Sequence, residues 1–437
     1  MSERLGVIGA GVAGLAAAWR LVEAGRQVVV YEAAPVAGGL LATVERAGIR
    51  ADTGVQLLSS TYVETRRLIA AAGASGLLAG VPGRDALWRR GRARPITYGA
   101  VASMLATGAL PAMLKLRLGA KYVPFLSTRA AHADANDPAA TAAAHDGESI
   151  AAWGRRELGD DFVEYLAYPL LGAYYGATPE RASAGLYHAL ARVGMDVHLS
   201  AVRGGAARLA AALSTALTGR GVELRTGAAV TSLQCGEAEV RLQAGGGAEQ
   251  LAGVVVATDP AQARKLLAGE SALAGWLAGV VTAPAITVTA WLRRRVNVDW
   301  FGVSFPRVEP PGDVLVAACV QSRKPELVEG AGDAVVMYPA PAWMAAHADA
   351  PDAALRDALL PALERAFPGI TRVTDDVSVH RHAGGYRVFE AGQLRRIAAF
   401  DDAMVPPRCA LAGDYLVAPT VEGAVRSGLR AAARLLA

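Results

Sequence analysis

RLGVIGAGVAGLAAAWRLVEAGRQVVVYEA, residues 4–33, reads as a strand, a glycine turn, a helix and a second strand that ends in an acid. The run LGVIG is apolar without alternation, as suits a parallel strand buried on both faces. Gly9, Gly11 and Gly14 follow at the spacing G-x-G-x-x-G. Gly9 permits the tight turn, Gly11 lets the backbone approach a pyrophosphate, and Gly14 lets the helix pack on the strand. That helix, from about Ala13 to Ala24, points unpaired N–H groups and partial positive charge at the phosphates. Gly25 ends it, QVVVYE forms the second strand, and Glu32 stands at its tip, placed to accept ribose hydroxyls. An acid there disfavours a 2′-phosphate, which argues against NADP. The unit alone serves NAD and FAD equally.

The residues after Glu32 separate the two. EAAPVAGGLLAT puts Gly38 and Gly39 just beyond the acid, and GIRADTG brings Asp52, Thr53 and Gly54 shortly afterwards. Together these resemble the extended FAD motif of the amine oxidase, phytoene desaturase and protoporphyrinogen oxidase superfamily. The resemblance implies that Gly38 and Gly39 bring backbone near the diphosphate and ribityl chain. It also implies that the turn through Gly54, Val55 and Gln56 lies by the flavin. The family often has arginine after the glycine pair; here Leu40 takes that place among the cofactor contacts.

Members of this superfamily return to the nucleotide domain twice, and the chain offers both returns. Residues 201–234 read as a helix opened by Gly204 and Gly205, then strands; the resemblance puts Val230 near the adenine. LAGVVVATDPAQARKLL, residues 251–267, is a buried strand ending at Ala257 and Thr258, then a helix. Near the C-terminus CALAG leads through Gly413 to Asp414, and a last helix begins at about Val421. By resemblance Asp414 meets a ribityl or phosphate oxygen, and the first turn with Val421, Glu422 and Ala424 faces the flavin. A positive helix end is useful there, because reduced flavin carries negative charge. The implied fold class is α/β: a Rossmann-type FAD-binding domain interleaved with an α+β substrate domain. Its expected parts are FAD-binding at 1–75, 200–270 and 400–437, and substrate-binding at 76–199 (helical) and 271–399 (β-rich).

The motif ESIAAWGRRELG (148–159), the run PLLGAYYGATP (169–179) and the helix 182–193 resemble protoporphyrinogen oxidase-like proteins most closely. Within them Tyr174 and Tyr175 read either as lining of an apolar pocket or as domain core. Tyr386 and Arg387 fall where the family has a strand entering the active site, although GGYRVF departs from the usual proline–aromatic pair. His380 and His382 share one strand face with no third ligand nearby, so they read as structural or as substrate contacts, and no metal is expected. Arg89, Arg90, Arg92 and Arg94 read as a solvated hairpin, or as a recogniser of an anionic group. Residues 104–125 read as a core helix, or as a peripheral membrane contact suited to a lipophilic substrate. Residues 132–148 read as a mobile loop.

Composition agrees with an enzyme. The 437 residues carry 44 basic and 40 acidic side chains, a net charge of +4, with no basic run interleaved with aromatics, so nucleic acid is not an expected partner. Mean hydropathy is +0.27, much of it from alanine. Cys235, Cys319 and Cys409 are odd in number and far apart, and suit buried thiols of a reducing compartment. Cys409 does not match the offset at which some relatives anchor flavin, so noncovalent FAD is expected. No apolar run reaches the roughly 18–20 residues of a membrane span, and a cytoplasmic enzyme, with a peripheral membrane contact as the alternative, is expected. No Ser–His–Asp set or carboxylate pair stands at useful spacing, as befits a reaction carried by its cofactor. The expected activity is oxidation of a small lipophilic, cyclic or polyene substrate, with oxygen or a quinone as acceptor. Carotenoid desaturase-type, amine oxidase-type and redox-neutral isomerase readings stay open.

Overall fold

A computed structural model describes residues 4–437 apart from 82, 98, 99, 128–133, 143, 144, 195, 196 and 383. Its centre is a five-stranded parallel sheet, whose order is Glu223–Arg225, Val28–Tyr31, Leu5–Ile8, Gly253–Val256 and Cys409–Leu411. Every residue of the last four strands is buried, as the unbroken valine-rich runs require. Alternate side chains feed two layers. Val28 and Val30 join the helices Val12–Glu23, Ala206–Thr218 and Val421–Leu436 on one face. Val29 and Tyr31 face the three-stranded meander of residues 230–251 and the helices Pro260–Leu266 and Ser271–Ala278 on the other. The first and last helices touch where Gly428 meets Ala13, and a Cβ at Gly428 would collide with the Ala13 carbonyl.

A second, seven-stranded sheet is mainly antiparallel, in the order Thr374–Arg381, Ile286–Leu292, Asp333–Pro339, Leu315–Val320, Gly302–Ser304, Arg84–Arg89 and Arg92–Thr97. The segment expected to be helical thus contributes a hairpin at 84–97, attached by parallel pairing of Val303 with Ala86 and Ser304 with Leu87. Trp88 fixes that hairpin in the core, 5.7 Å from Phe305, with its indole N–H donating to the Pro310 carbonyl. Helices within 112–126 and 150–194 gather around an aromatic cluster in which Trp153 and Phe125 pack at 4.3 and 4.8 Å from the His188 ring.

Two expectations change here. The consecutive helical segments Ala112–Arg117, Leu118–Tyr122 and Val123–Leu126 bury Leu114, Leu118, Tyr122 and Leu126 in this cluster while exposing Met113 and Leu116, so the stretch is amphipathic rather than simply core. Of the expected loop 132–148, residues 132, 133, 143 and 144 lie outside the described residues. The described part is fastened: Asp134 pairs with Arg426, Asn136 accepts from the Thr420 hydroxyl, and buried Asp146 accepts from Ser183. Among the described residues no helix is long and apolar enough to cross a membrane.

Candidate active site

The glycine loop builds one end of a long cavity. Gly9 adopts φ +101, and a Cβ on it would lie 2.7 Å from the Ala257 carbonyl. A Cβ at Gly14 would collide with the Gly9 carbonyl, so both glycines are demanded by packing. Gly11 differs: its backbone is extended, nothing lies within 4 Å of its missing Cβ, and it lines the cavity with Val12 and Ala13. No side chain caps this helix, so its first N–H groups are left to whatever enters. Glu32 binds the loop to the strand tip, its carboxylate accepting the Ala10 N–H at 2.7 Å and the Ala34 N–H at 2.8 Å. A carboxylate so held keeps lone pairs for ribose hydroxyls.

The expected second contact region interlocks with the first. The Gly38 N–H donates to the Ala10 carbonyl at 2.9 Å, and Gly39 at φ +55 brings its missing Cβ within 3.3 Å of the Gly11 Cα. The Val55 N–H donates to the Leu40 carbonyl at 2.8 Å, and a Cβ on Gly54 would strike that same carbonyl. Gly38, Leu40, Gly54, Val55 and Gln56 all line the cavity, as do Ala257 and Thr258.

The C-terminal piece closes the opposite wall. Gly413, Asp414, Val421 and Ala424 line the cavity where the helix Val421–Leu436 begins. Thr420 caps that helix by accepting the Gly423 N–H at 2.8 Å. Asp414 is held by the Arg387 guanidinium at 3.2 Å, and its pKa is nevertheless raised because burial outweighs the attraction of Arg387. Two helix N-termini therefore open on one cavity, with a cradle at Gly11 that any side chain would fill. That donor set and shape fit a flavin dinucleotide, with Gly11 to Ala13 toward its phosphates.

Six expected cofactor residues do not line the cavity: Gly9, Gly14, Glu32, Gly39, Val230 and Glu422. The first four shape the loop just described. Val230 is buried in the apolar layer under the meander. Glu422 turns away entirely: its carboxylate accepts the N–H groups of Glu64 and Thr65 and the Thr65 hydroxyl, and pairs with Arg426. It caps the helix Val63–Ala71, because that helix has no capping side chain of its own.

Beyond the glycine loop the cavity runs along the seven-stranded sheet. Tyr174, Tyr175 and Tyr386 line it, with Phe301, Cys319, Tyr338, His382 and Asp85. Arg387 lines it too, but its guanidinium is engaged by Asp414 and by the Gly384 and Gly385 carbonyls. Tyr386 reaches the wall because a Cβ at Gly176, the left-handed end of the helix Tyr168–Tyr175, would strike its ring. Arg89, Arg90, Arg92 and Arg94 do not line the cavity. Among the described residues no three His, Cys, Asp or Glu side chains gather as a metal site requires.

Sequence reading did not anticipate the ion pair behind this wall. Lys324 Nζ lies 2.6 Å from Asp52 Oδ2 and 2.6 Å from Gln56 Oε1, with the lysine and aspartate side chains 0% and 1% exposed. Lys324 stands in the unremarkable run QSRKPEL, which carries no signal of partnership with a turn 272 residues earlier.

Comparison with known proteins agrees with this geometry. The family described as flavin containing amine oxidoreductase matches residues 12–436. Protoporphyrinogen oxidase 2 of Arabidopsis thaliana is 27% identical over 191 residues, 41% of this chain and 34% of that protein. Coproporphyrinogen III oxidase of Propionibacterium freudenreichii subsp. freudenreichii is 30% identical over 181 residues, 39% of this chain and 31% of its own. The chain spans about a third of the length of these curated relatives. Cyclohexylamine oxidase from Brevibacterium oxydans IH-35A shares the fold at TM-score 0.75 and 20% identity, over 100% of this chain and 99% of that one.

Proposed function

The chain belongs to the flavin-containing amine oxidoreductase family, and on that footing we propose that it holds FAD noncovalently and removes hydride from a C–H or C–N-bearing carbon of a largely apolar, cyclic or polyene substrate. Oxygen or a quinone then takes up the electrons. The observation that carries this reading is the far half of the cavity. There Tyr174, Tyr175, Tyr338, Tyr386 and Phe301 make an aromatic lining, and the one arginine or lysine among the described residues that line it, Arg387, is paired with Asp414. Such a wall stabilises apolar rings by burial and edge contacts and offers no uncompensated cation to a carboxylate.

The flavin, when bound, supplies the two-electron oxidation. The chain orients and desolvates: the glycine loop and two helix ends hold the cofactor, and the tyrosines exclude water from the reacting carbon. Noncovalent attachment is supported by the thiols. Cys319 is the cysteine among the cavity-lining residues, and burial pushes its pKa far above the ordinary thiol value, so it offers no thiolate for a tether.

Anaerobic mixing of the yellow protein with cyclohexylamine, protoporphyrinogen or phytoene tests this reading. At least one is expected to bleach the flavin absorbance at about 450 nm, with colour returning on admission of oxygen or a quinone. A flavin that none of them bleaches contradicts the proposal.

A further inference from the structure

The sheet wall of the cavity carries an imidazole with no role so far. His382 follows the strand Thr374–Arg381 and lines the cavity. Strand register places it beside its neighbours: Thr287 stands opposite His380, and Val288 stands opposite Met337, which sets Tyr338 on the other flank of Thr287. Residues opposite one another in antiparallel strands share a face, so His380, Thr287 and Tyr338 point the same way, as does His382 two positions on.

The His382 ring is held in one tautomer. Its Nε2 lies 2.7 Å from the Thr53 carbonyl oxygen, which can only accept, so Nε2 carries the hydrogen. The Thr287 hydroxyl donates to the same carbonyl at 3.0 Å, and the His382 backbone N–H donates to the Ala285 carbonyl at 2.9 Å. Burial pushes the imidazole pKa down, against a smaller pull from the Thr53 bond, so the ring is neutral near pH 7. Nδ1 then bears a lone pair, and among the described residues it has no hydrogen-bond partner. Thr53 belongs to the turn Asp52–Gln56, which also lines the cavity, so the ring is fixed relative to the cofactor side of the site.

We propose that Nδ1 of His382 is the proton acceptor of the oxidation, taking the hydrogen from an N–H or O–H group attached to the carbon that loses hydride. This rests on the oxidoreductase reading above. The C–H bond breaks and its hydrogen leaves with the electron pair to the flavin. The N–H or O–H bond breaks, its proton goes to Nδ1, and its electron pair becomes the second bond of C=N or C=O. The histidinium later yields its proton to solvent. The substrate must therefore carry an exchangeable hydrogen beside the oxidised carbon, which a hydrocarbon polyene lacks. The buried Tyr338 hydroxyl, near Gln56 on the same cavity wall, supplies a second polar contact for such a group. Among the charged or titratable groups near the ring are His380 on its own strand, with its pKa pushed down to about 4 by burial, and, lining the same cavity, Asp85, Asp259, Cys319, Tyr338, Tyr386 and the Asp414–Arg387 pair.

Two measurements on the holoenzyme test this. In ¹⁵N-histidine-labelled protein at pH 7, assigned by comparison with His382→Gln, His382 is expected to show a protonated Nε2 and an unprotonated Nδ1. The opposite tautomer or a doubly protonated ring overturns the proposal. In anaerobic bleaching, cyclohexylamine, whose N–H group sits on the oxidised carbon, is expected to reduce the wild-type flavin, and phytoene and protoporphyrinogen, whose oxidised carbons bear none, are not. His382→Gln keeps a donor for Thr53 but has no basic lone pair. It should retain its flavin, bleach about 10²–10⁴-fold more slowly, and lose the acid limb of the pH profile. Bleaching by phytoene or protoporphyrinogen without bleaching by cyclohexylamine, or an unchanged rate and pH profile in His382→Gln, overturns the role of His382 while leaving the oxidoreductase reading intact. A wild-type flavin that none of the compounds bleaches contradicts the oxidoreductase reading itself, and the proton acceptor with it.

Discussion

Replacing Lys324 with methionine is expected to lower the unfolding free energy by about 3–5 kcal/mol, because it strands a buried carboxylate. Asp52 is a junction of four segments. One oxygen meets Lys324 Nζ at 2.6 Å, and the other accepts the Thr43 hydroxyl at 2.6 Å and the Ala206 N–H at 2.8 Å. Its own N–H donates to Gln321 at 3.2 Å. The first contacts of the helix Ala206–Thr218, the strand pair Thr43–Arg46 and Ile49–Asp52, and the turn carrying Lys324 are thus tied at one point. Desolvation of the pair is large, so its net worth against an apolar pair is small, whereas breaking it from one side is costly. The double change Asp52→Asn with Lys324→Met should therefore recover a substantial part of the loss. Urea titration of the wild type and these two variants measures this, and a single Lys324→Met variant within 1 kcal/mol of wild type, by the scale usual for exposed pairs, contradicts it.

Gly11→Val is expected to fold and to emerge colourless, with flavin affinity reduced by about 100-fold or more. Its extended backbone, φ −69 and ψ 174, accepts any residue, and its Cβ meets no atom of the chain within 4 Å. The valine side chain would instead fill the cradle in front of the helix N–H groups, where a pyrophosphate needs close backbone approach. Gly14→Val makes the contrast. Its Cβ runs into the Gly9 carbonyl, so that variant should lose the fold of the loop as well as the flavin. Thermal unfolding together with the ratio of visible to protein absorbance separates the two outcomes. A yellow Gly11→Val protein with wild-type affinity would mean that the cofactor does not pass this glycine.

The nucleotide-binding unit was legible because its signals are local. Strand, glycines, helix and terminal acid lie within one stretch, and each residue type has a single physical reason for its place. Asp414 and Ala257, expected near the cofactor through resemblance, line one cavity with Gly11. Glu422 was misread for an instructive reason. Position in the first turn of a helix facing a cofactor does not decide where a long side chain points, and the uncapped helix Val63–Ala71 took it. The sheet wall was illegible in its essentials. Tyr338, Thr287 and His382 meet only through antiparallel register between strands about 40 residues or more apart in sequence, and Lys324 finds Asp52 across the whole substrate segment. Periodicity gives such strands their inward faces without saying which inward residues become neighbours. The segment 132–148 looked mobile because its composition is that of a loop. Its described anchors, Asn136 to Thr420 and Asp134 to Arg426, are contacts with the last helix of the chain.

The central claim is that one FAD lies unattached in the cavity between the two helix N-termini. Acid precipitation of the purified protein, followed by chromatography and mass measurement of the supernatant, tests it most directly. The account predicts one FAD released per chain and a colourless pellet. A protein that releases no FAD, or a flavin that stays with the pellet, would contradict it.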